Sequence, residues 1–229
     1  MQLYSFFNSS TSYRVRIALA LKGLDYQVVP VNLRQGEQLR PADRQRNPMG
    51  ALPTLVDADG RRFSQSLAII DYLDAVQPEP RLIPLDPLHR AQALELALLV
   101  ACDIHPLNNV RVLKYLPQVL GIDAEDRQRW YAHWVAEGLA AAEPLRNRHR
   151  RGAFFAGAAA GIVECCLVPQ LANARRMGCD LAPYPALLEL EGRCLALEAF
   201  QRARPERQPA DLPDCRAAPW KTTTRRTRP

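Results

Sequence analysis

The twelve residues Asn8 to Leu19 read N-S-S-T-S-Y-R-V-R-I-A-L, and their setting decides the fold. The short apolar run Leu3–Phe7 before them reads as a strand. After them Val15, Ile17, Ala18, Leu19 and Leu21 supply an apolar face at helical spacing, so the hydroxyl side chains of Ser9 to Ser12 fall at a strand-to-helix turn. Hydroxyls there can simply cap the helix. They can equally hold an anion, because a helix start offers unpaired N–H groups and the positive end of a dipole. Neither G-x-x-x-x-G-K nor G-x-G-x-x-G occurs, which argues against a nucleotide phosphate. A thiolate suits the same surroundings, since they lower a thiol pKa.

Working outward, the first third alternates strand and helix. The helix Ser12–Lys22 closes at Gly23, and Tyr26–Leu33 reads as a second strand that Pro30 places near a sheet edge. Gln35 to Gln45 is polar and irregular with some helical character. Leu55–Val56 and Arg61–Ser64 flank D-A-D-G, a hairpin signal, and Gln65–Val76 is an amphipathic helix. The order β-α-β-α-β-β-α describes a small mixed sheet covered by helices. Pro53 stands just before the third strand, where a cis bond would turn backbone groups outward as a docking edge. Gln65–Ser66 opens a helix that could receive a carboxylate or be plainly capped.

Residues 77–87 carry four prolines and mark a boundary. Beyond it the pattern is helical throughout, over His89–Leu116, Ala124–Arg146, Ile162–Met177 and Ala186–Ala203. Pro106 should bend the first of these, gathering Asp103, His105, Asn108, Asn109 and Arg111 around the bend. The expected division is residues 1–80, residues 86–210 and a basic tail over 211–229.

Composition narrows the function classes. The chain has 229 residues, 48% hydrophobic and 24% charged, the balance of an ordinary globular protein. Its formal charge of +6 is a property of the tail: residues 216–229 hold five basic side chains and no acidic one, leaving 25 basic against 24 acidic elsewhere. The body therefore gives no reason to expect nucleic acid. Arg14, Arg16 and Lys22 interrupt the first apolar segment, so neither a signal peptide nor a membrane span is expected, and a cytoplasmic location is. Six cysteines show no metal spacing; adjacent Cys165 and Cys166 read as buried thiols, and no disulfide framework is expected.

The order of elements resembles the glutathione transferase fold, an α/β thioredoxin-like N-terminal domain followed by an all-α C-terminal domain. S-S-T-S-Y-R-V-R-I-A-L-A-L-K-G, N-P-M-G-A-L-P-T-L, Q-S-L-A-I-I-D-Y-L, C-D-I-H-P-L-N-N, L-V-P-Q-L-A-N-A-R-R and L-A-P-Y-P resemble, in order, segments of the zeta class, whose members include maleylacetoacetate isomerases. The resemblance spans roughly residues 1 to 210. It implies glutathione as cofactor, with Ser9 holding the sulfur as thiolate and Ser10 and Thr11 beside it. It further implies Leu52 before cis-Pro53 pairing with the tripeptide backbone, Gln65 and Ser66 holding the γ-glutamyl end and Gln38 the glycyl end. His105 and Asn109 match positions near the thiol, and Arg111, Arg175 and Arg176 are the cations expected on the carboxylates of a small dicarboxylate substrate. A homodimer is expected, with no nucleic-acid or membrane partner.

The chain departs from that pattern at Asn8, where relatives often have arginine, and at Thr11, which is cysteine in many members. The usual Ser/Thr helix cap with Asp three residues later becomes Gly161 with Glu164, a glutamate that can still reach back to the cap. The implied activity is cis–trans isomerisation of maleylacetoacetate, with maleylpyruvate or a general transferase or dehalogenase reaction as alternatives. A non-catalytic interaction module of the same fold is expected to lose the serine turn or the Gln65–Ser66 pair; both are present.

Overall fold

In the computed structural model the described residues are 1–208, so the expected basic tail over 211–229 lies outside them. Strands β1 (Gln2–Ser5), β2 (Gln27–Pro30), β3 (Thr54–Val56) and β4 (Arg62–Ser64) form one sheet in the order β2-β1-β3-β4. β1 runs parallel to β2 and antiparallel to β3, with Leu3 opposite both Val28 and Leu55. β3 and β4 form the hairpin signalled by D-A-D-G. Pro30 sits on the edge strand, where its missing N–H costs no ladder bond. β1 is shorter than the apolar run suggested, because Arg16 takes the Phe7 carbonyl at 2.9 Å and Ser9 N–H donates to Phe6 at 3.0 Å, drawing both residues out of the sheet.

Helix α1 (Ser10–Leu21) ends where Gly23 takes φ 63°, a left-handed conformation open to glycine at little cost. The sequence suggested one apolar face; the helix is instead buried nearly all round. Val15 and Leu19 pack on the sheet side with Leu3, Leu55, Ile69 and Leu73. Tyr13, Ile17 and Ala18 pack on the other side among apolar side chains of the later helices. Helices α2 (Pro41–Arg46) and α3 (Ser66–Val76) complete the first part. The proline-rich connection is then pinned by a buried pair: Lys22 Nζ lies 2.8 Å from Asp74 and donates to Gln77 and Pro80 carbonyls. Asp74 in turn accepts from the N–H groups of Leu82 and Ile83.

The expected long helix over His89–Leu116 is broken more thoroughly than one proline bend would do. Helix α4 (Pro87–Leu98) passes into a π-helical turn (Leu99–Ile104), a 3-10 turn (Pro106–Asn108) and then helix α5 (Val110–Val119). His105 N–H reaches back to the Val100 carbonyl at 3.0 Å, the wider π-type spacing that often marks functional sites. Within the run Pro87–Val119 an 18-residue window is apolar enough by composition to cross a bilayer, with mean hydropathy 1.2 and 28% of the window buried; Ala93, Leu96, Ala97, Val100 and Ile104 of this run are core residues. Helix α6 (Ala124–His149) closes on the π turn at Gly138, where an added Cβ would meet Ile104 Cγ1 at 2.1 Å. Helix α7 (Ile162–Arg176) runs beside α1, with Cys165 and Cys166 buried as free thiols. The expected helix over Ala186–Ala203 divides into α8 (Pro185–Leu195) and α9 (Glu198–Ala203), and the break lets the Ala203 carbonyl accept from Arg16 Nε at 3.0 Å.

At the start of α7, Glu164 does reach back. Its carboxylate accepts from Gly161 N–H at 2.7 Å and from Phe155 N–H at 2.7 Å, fully buried. Gly161 has no room for a side chain, since a Cβ would lie 2.5 Å from the Leu82 carbonyl. Glu164→Ala strands two buried N–H groups and should cost about 2–6 kcal/mol. Urea unfolding measures that loss, and a change within about 0.5 kcal/mol would exclude the cap's role.

Candidate functional site

The serine turn works as a relay of hydroxyls. Ser9 caps α1, its Oγ accepting from Ser12 N–H at 3.2 Å and lying 2.9 Å from Thr11 Oγ1. Thr11 donates its one proton to the Leu52 carbonyl at 2.9 Å, so the Ser9 hydroxyl must be the donor to Thr11. Leu52 precedes Pro53 through a cis bond, as the docking-edge reading requires. The turn is thereby tied to the backbone edge across from it, while Leu52 N–H has no partner among the described residues.

Ser10 points the other way, its Oγ 3.2 Å from His105 Nδ1. Asn109 caps α5, accepting from Arg111 N–H at 3.1 Å through Oδ1 and setting its Nδ2 3.4 Å from His105 Nε2. Since the Asn109 amide nitrogen is a donor, Nε2 is the acceptor; the His105 proton then resides on Nδ1 and is given to Ser10. That assignment leaves the Ser10 proton free for another acceptor. The π turn thus delivers a helical residue to the first helix start, joining residues 95 positions apart.

On the other flank, Gln65 is the one non-glycine among the described residues with positive φ, at φ 72° and ψ 114°. Strain of this kind persists where the surroundings enforce it and clusters at ligand sites. Its exposed side chain makes no cap, and buried Ser66 follows as the first residue of α3. Ser66 Oγ accepts from Arg14 Nη1 at 3.3 Å. Gln38 lies with Tyr4, Asp43, Arg46 and Leu52 around a shallow depression, and its Oε1 is buried without a partner. Gln38 and Leu52 thus share one depression, and the partnerless Gln38 oxygen and Leu52 N–H are polar groups of the kind an extended peptide-like ligand uses.

The expected cations separate. Arg176 reaches the turn, donating to Asn8 Oδ1 and, at 2.6 Å, to Asn173 Oδ1, so Asn8 joins the two halves through this arginine. Arg111 is exposed on the first turn of α5. Arg175 departs from expectation. It points at α8, where both its terminal nitrogens bind Glu191 at 3.0 and 2.6 Å, and that pairing neutralises it away from the turn. Of the residues gathered at the bend, Asp103 is exposed and bonded to none of this network, while Asn108 turns to the Tyr131 carbonyl. The sequence reading missed Arg14, although a charge inside the apolar period of the first helix was its signal.

Burial, and after it the charges of Arg14 and Arg111, push His105 down to about 3. The unfolded chain takes up this proton near pH 6.5 and the folded chain does not, so stability is full above that pH and declines as pH falls toward about 3. The decline is at most about 1.4 kcal/mol per pH unit, less where water reaches the ring edge. His105→Gln should remove this component of the slope between about pH 7 and about pH 5 in urea unfolding, and an unchanged slope would contradict the assignment.

A family model described as glutathione S-transferase, N-terminal domain, matches residues 8–76. The maleylacetoacetate isomerase of Pseudomonas aeruginosa is 46% identical over 211 residues, covering 91% of this chain and 98% of that one. A crystal structure of maleylpyruvate isomerase from Pseudomonas aeruginosa PAO1 is 87% identical, covers 93% of this chain and 100% of its own, and superposes with a TM-score of 0.82. A maleylacetoacetate isomerase from Methylobacterium extorquens AM1, crystallised with malonate and glutathione, is 37% identical over 91% of this chain and 98% of its own, with a TM-score of 0.85. Sequence, sheet order and helical remainder agree, and the chain belongs to the zeta class of the glutathione transferase family.

Proposed function

We propose that this chain is a glutathione-dependent cis–trans isomerase that converts maleylacetoacetate to fumarylacetoacetate. The observation that carries the reading is the meeting of two otherwise separate halves at the serine turn, with Ser10 Oγ 3.2 Å from His105 Nδ1 and Ser9 tied through Thr11 to the cis-Pro53 edge. The names and bound ligands of the relatives support it. In this reading residues 1–80 bind glutathione and residues 86–210 bind substrate, in a cytoplasmic homodimer. Met49, Leu85, Leu88 and Leu98 are among the exposed apolar side chains that a second copy would have to cover.

The residues fit glutathione. Leu52 N–H would take its backbone, Gln65 and Ser66 its γ-glutamyl end, and Gln38 its glycyl end. Bound glutathione supplies a thiolate whose reversible addition makes the substrate's double bond single and free to rotate. The chain's task is to keep that sulfur ionised. A free thiol has a pKa of about 8.5, and lowering it by about two units takes about 2.7 kcal/mol. A hydroxyl hydrogen bond to a charge gives about 1.5–3 kcal/mol and a helix start about 0.3–1. Ser9 can turn its proton from Thr11 to the sulfur without losing its cap, since the cap uses the oxygen and not the proton. Ser10, whose proton His105 leaves free, is a second donor at the same helix start. Arg176 and Arg111 would face substrate carboxylates, whereas Arg175 is paired with Glu191.

A second reading takes maleylpyruvate as substrate, and the 87% identity to a maleylpyruvate isomerase favours it. Both substrates are cis-enedioate keto acids, so an absorbance assay of the two side by side, with and without glutathione, ranks them. Turnover without the thiol would refute the mechanism in either case. Ser9→Ala should lower kcat by about 10- to 150-fold, the worth of one hydrogen bond to a charge, and leave glutathione affinity within severalfold. Unchanged turnover would remove Ser9 from the reaction.

A further inference from the structure

Arg14 is a cation in the core with no anion beside it. Its side chain is fully buried, and its nearest polar partner is Ser66 Oγ, at 3.3 Å from Nη1. Nε and Nη2 have no hydrogen-bond partner among the described residues. No carboxylate among the described residues pairs with it; the ionisable groups that feel its charge are the thiols of Cys166, Cys102 and Cys165 and the imidazole of His105. Burial lowers its pKa, yet a guanidinium keeps its proton in proteins. The other buried cations of this region are served differently. Lys22 has Asp74, and Arg16 has three carbonyls and the Ser5 hydroxyl. A buried charge is costly until a counter-charge meets it, and the hydroxyl that Arg14 touches among the described residues opens the helix assigned to the γ-glutamyl carboxylate.

We infer that Arg14 is a positioning residue for glutathione: its buried guanidinium, acting through the Ser66 hydroxyl, supplies the positive charge that holds the α-carboxylate of the γ-glutamyl group. This rests on the reading of Ser66 given above. The guanidinium donates to a lone pair of the Ser66 oxygen, so the Ser66 proton is directed away from it, toward an incoming acceptor. The ligand carboxylate is then the counterion that the folded chain lacks. The effect works through low-dielectric protein, so it is weakly screened by salt, unlike attraction by an exposed arginine.

The test compares two ligands by calorimetry on the full chain: glutathione, and γ-aminobutyryl-cysteinyl-glycine, which lacks only that carboxylate. Arg14→Met and Arg14→Gln should each weaken glutathione by about 10- to 100-fold and the analogue by less than about threefold. Arg14→Lys, which keeps the charge, should restore a measurable part of the glutathione affinity. Thermal melts accompany each variant, and the two neutral replacements guard against one failing to fold. Equal losses for both ligands would make Arg14 merely structural and overturn the inference, as would no loss for either. Wild-type chain binding the analogue as tightly as glutathione overturns it without any variant. If Ser66→Ala binds glutathione normally, the reading of Ser66 itself has failed; if only Ser66→Ala weakens binding while the Arg14 variants do not, the inference about Arg14 fails alone.

Discussion

A helix buried on every side must dispose of its own charges, and α1 carries Arg14 and Arg16 between Tyr13 and Ile17. Arg16 spends its donors on the Phe6 and Phe7 carbonyls and the Ser5 hydroxyl in front of the helix and on the Ala203 carbonyl at the far end of the chain. That one side chain ends β1, fixes the turn that carries Ser9 and draws α9 back to the first helix. Arg14 reaches the start of α3. Each contact offsets the desolvation of a guanidinium, which would otherwise make the buried position untenable. The geometry of the serine turn thus depends on where Arg16 finds oxygen.

The second constraint is the join between the sheet part and the helices. A hydrophobic cluster runs without a break from Tyr13, Ile17 and Ile70 into α4, α6 and α7, so α1 belongs to both halves. The proline-rich connection is held by the Lys22–Asp74 pair and by N–H bonds to Asp74. Against that fixed frame the π turn can bring His105 to Ser10 with little freedom left, and Gly138 allows the close approach of α6 that seats it. A neutral imidazole is what the location demands, because burial and two arginines oppose a further positive charge. Its use is orientation: it fixes the direction of a serine proton at the helix start, where an anion is most welcome.

Hydroxyls suit this work because they move a proton at little cost. Ser9 is a cap acceptor and, through its proton, a donor whose target can change from Thr11 to a sulfur. Thr11 serves as the link to the Leu52 carbonyl. The strained Gln65, the Gln38 oxygen and the Leu52 N–H are likewise left without a fixed partner among the described residues.

The sequence by itself determined the strand–turn–helix at Ser9, the hairpin around D-A-D-G, the helices after the prolines and the order of the sheet part, because each rests on local periodicity and turn chemistry. It also carried the reach of Glu164 back to Gly161, since that spacing is local too. It could not show that α1 is buried on two faces, for a period of apolar residues records one face and Arg14 and Arg16 disguise the other. It paired Arg175 with Arg176, although neighbours in a helix point about 100° apart and a glutamate on α8 captures one of them. The π turn, the direction of the Ser10 proton and the counterion missing beside Arg14 were decided by tertiary structure alone. Each depends on which atoms burial brings together across the chain, and no spacing along it encodes that.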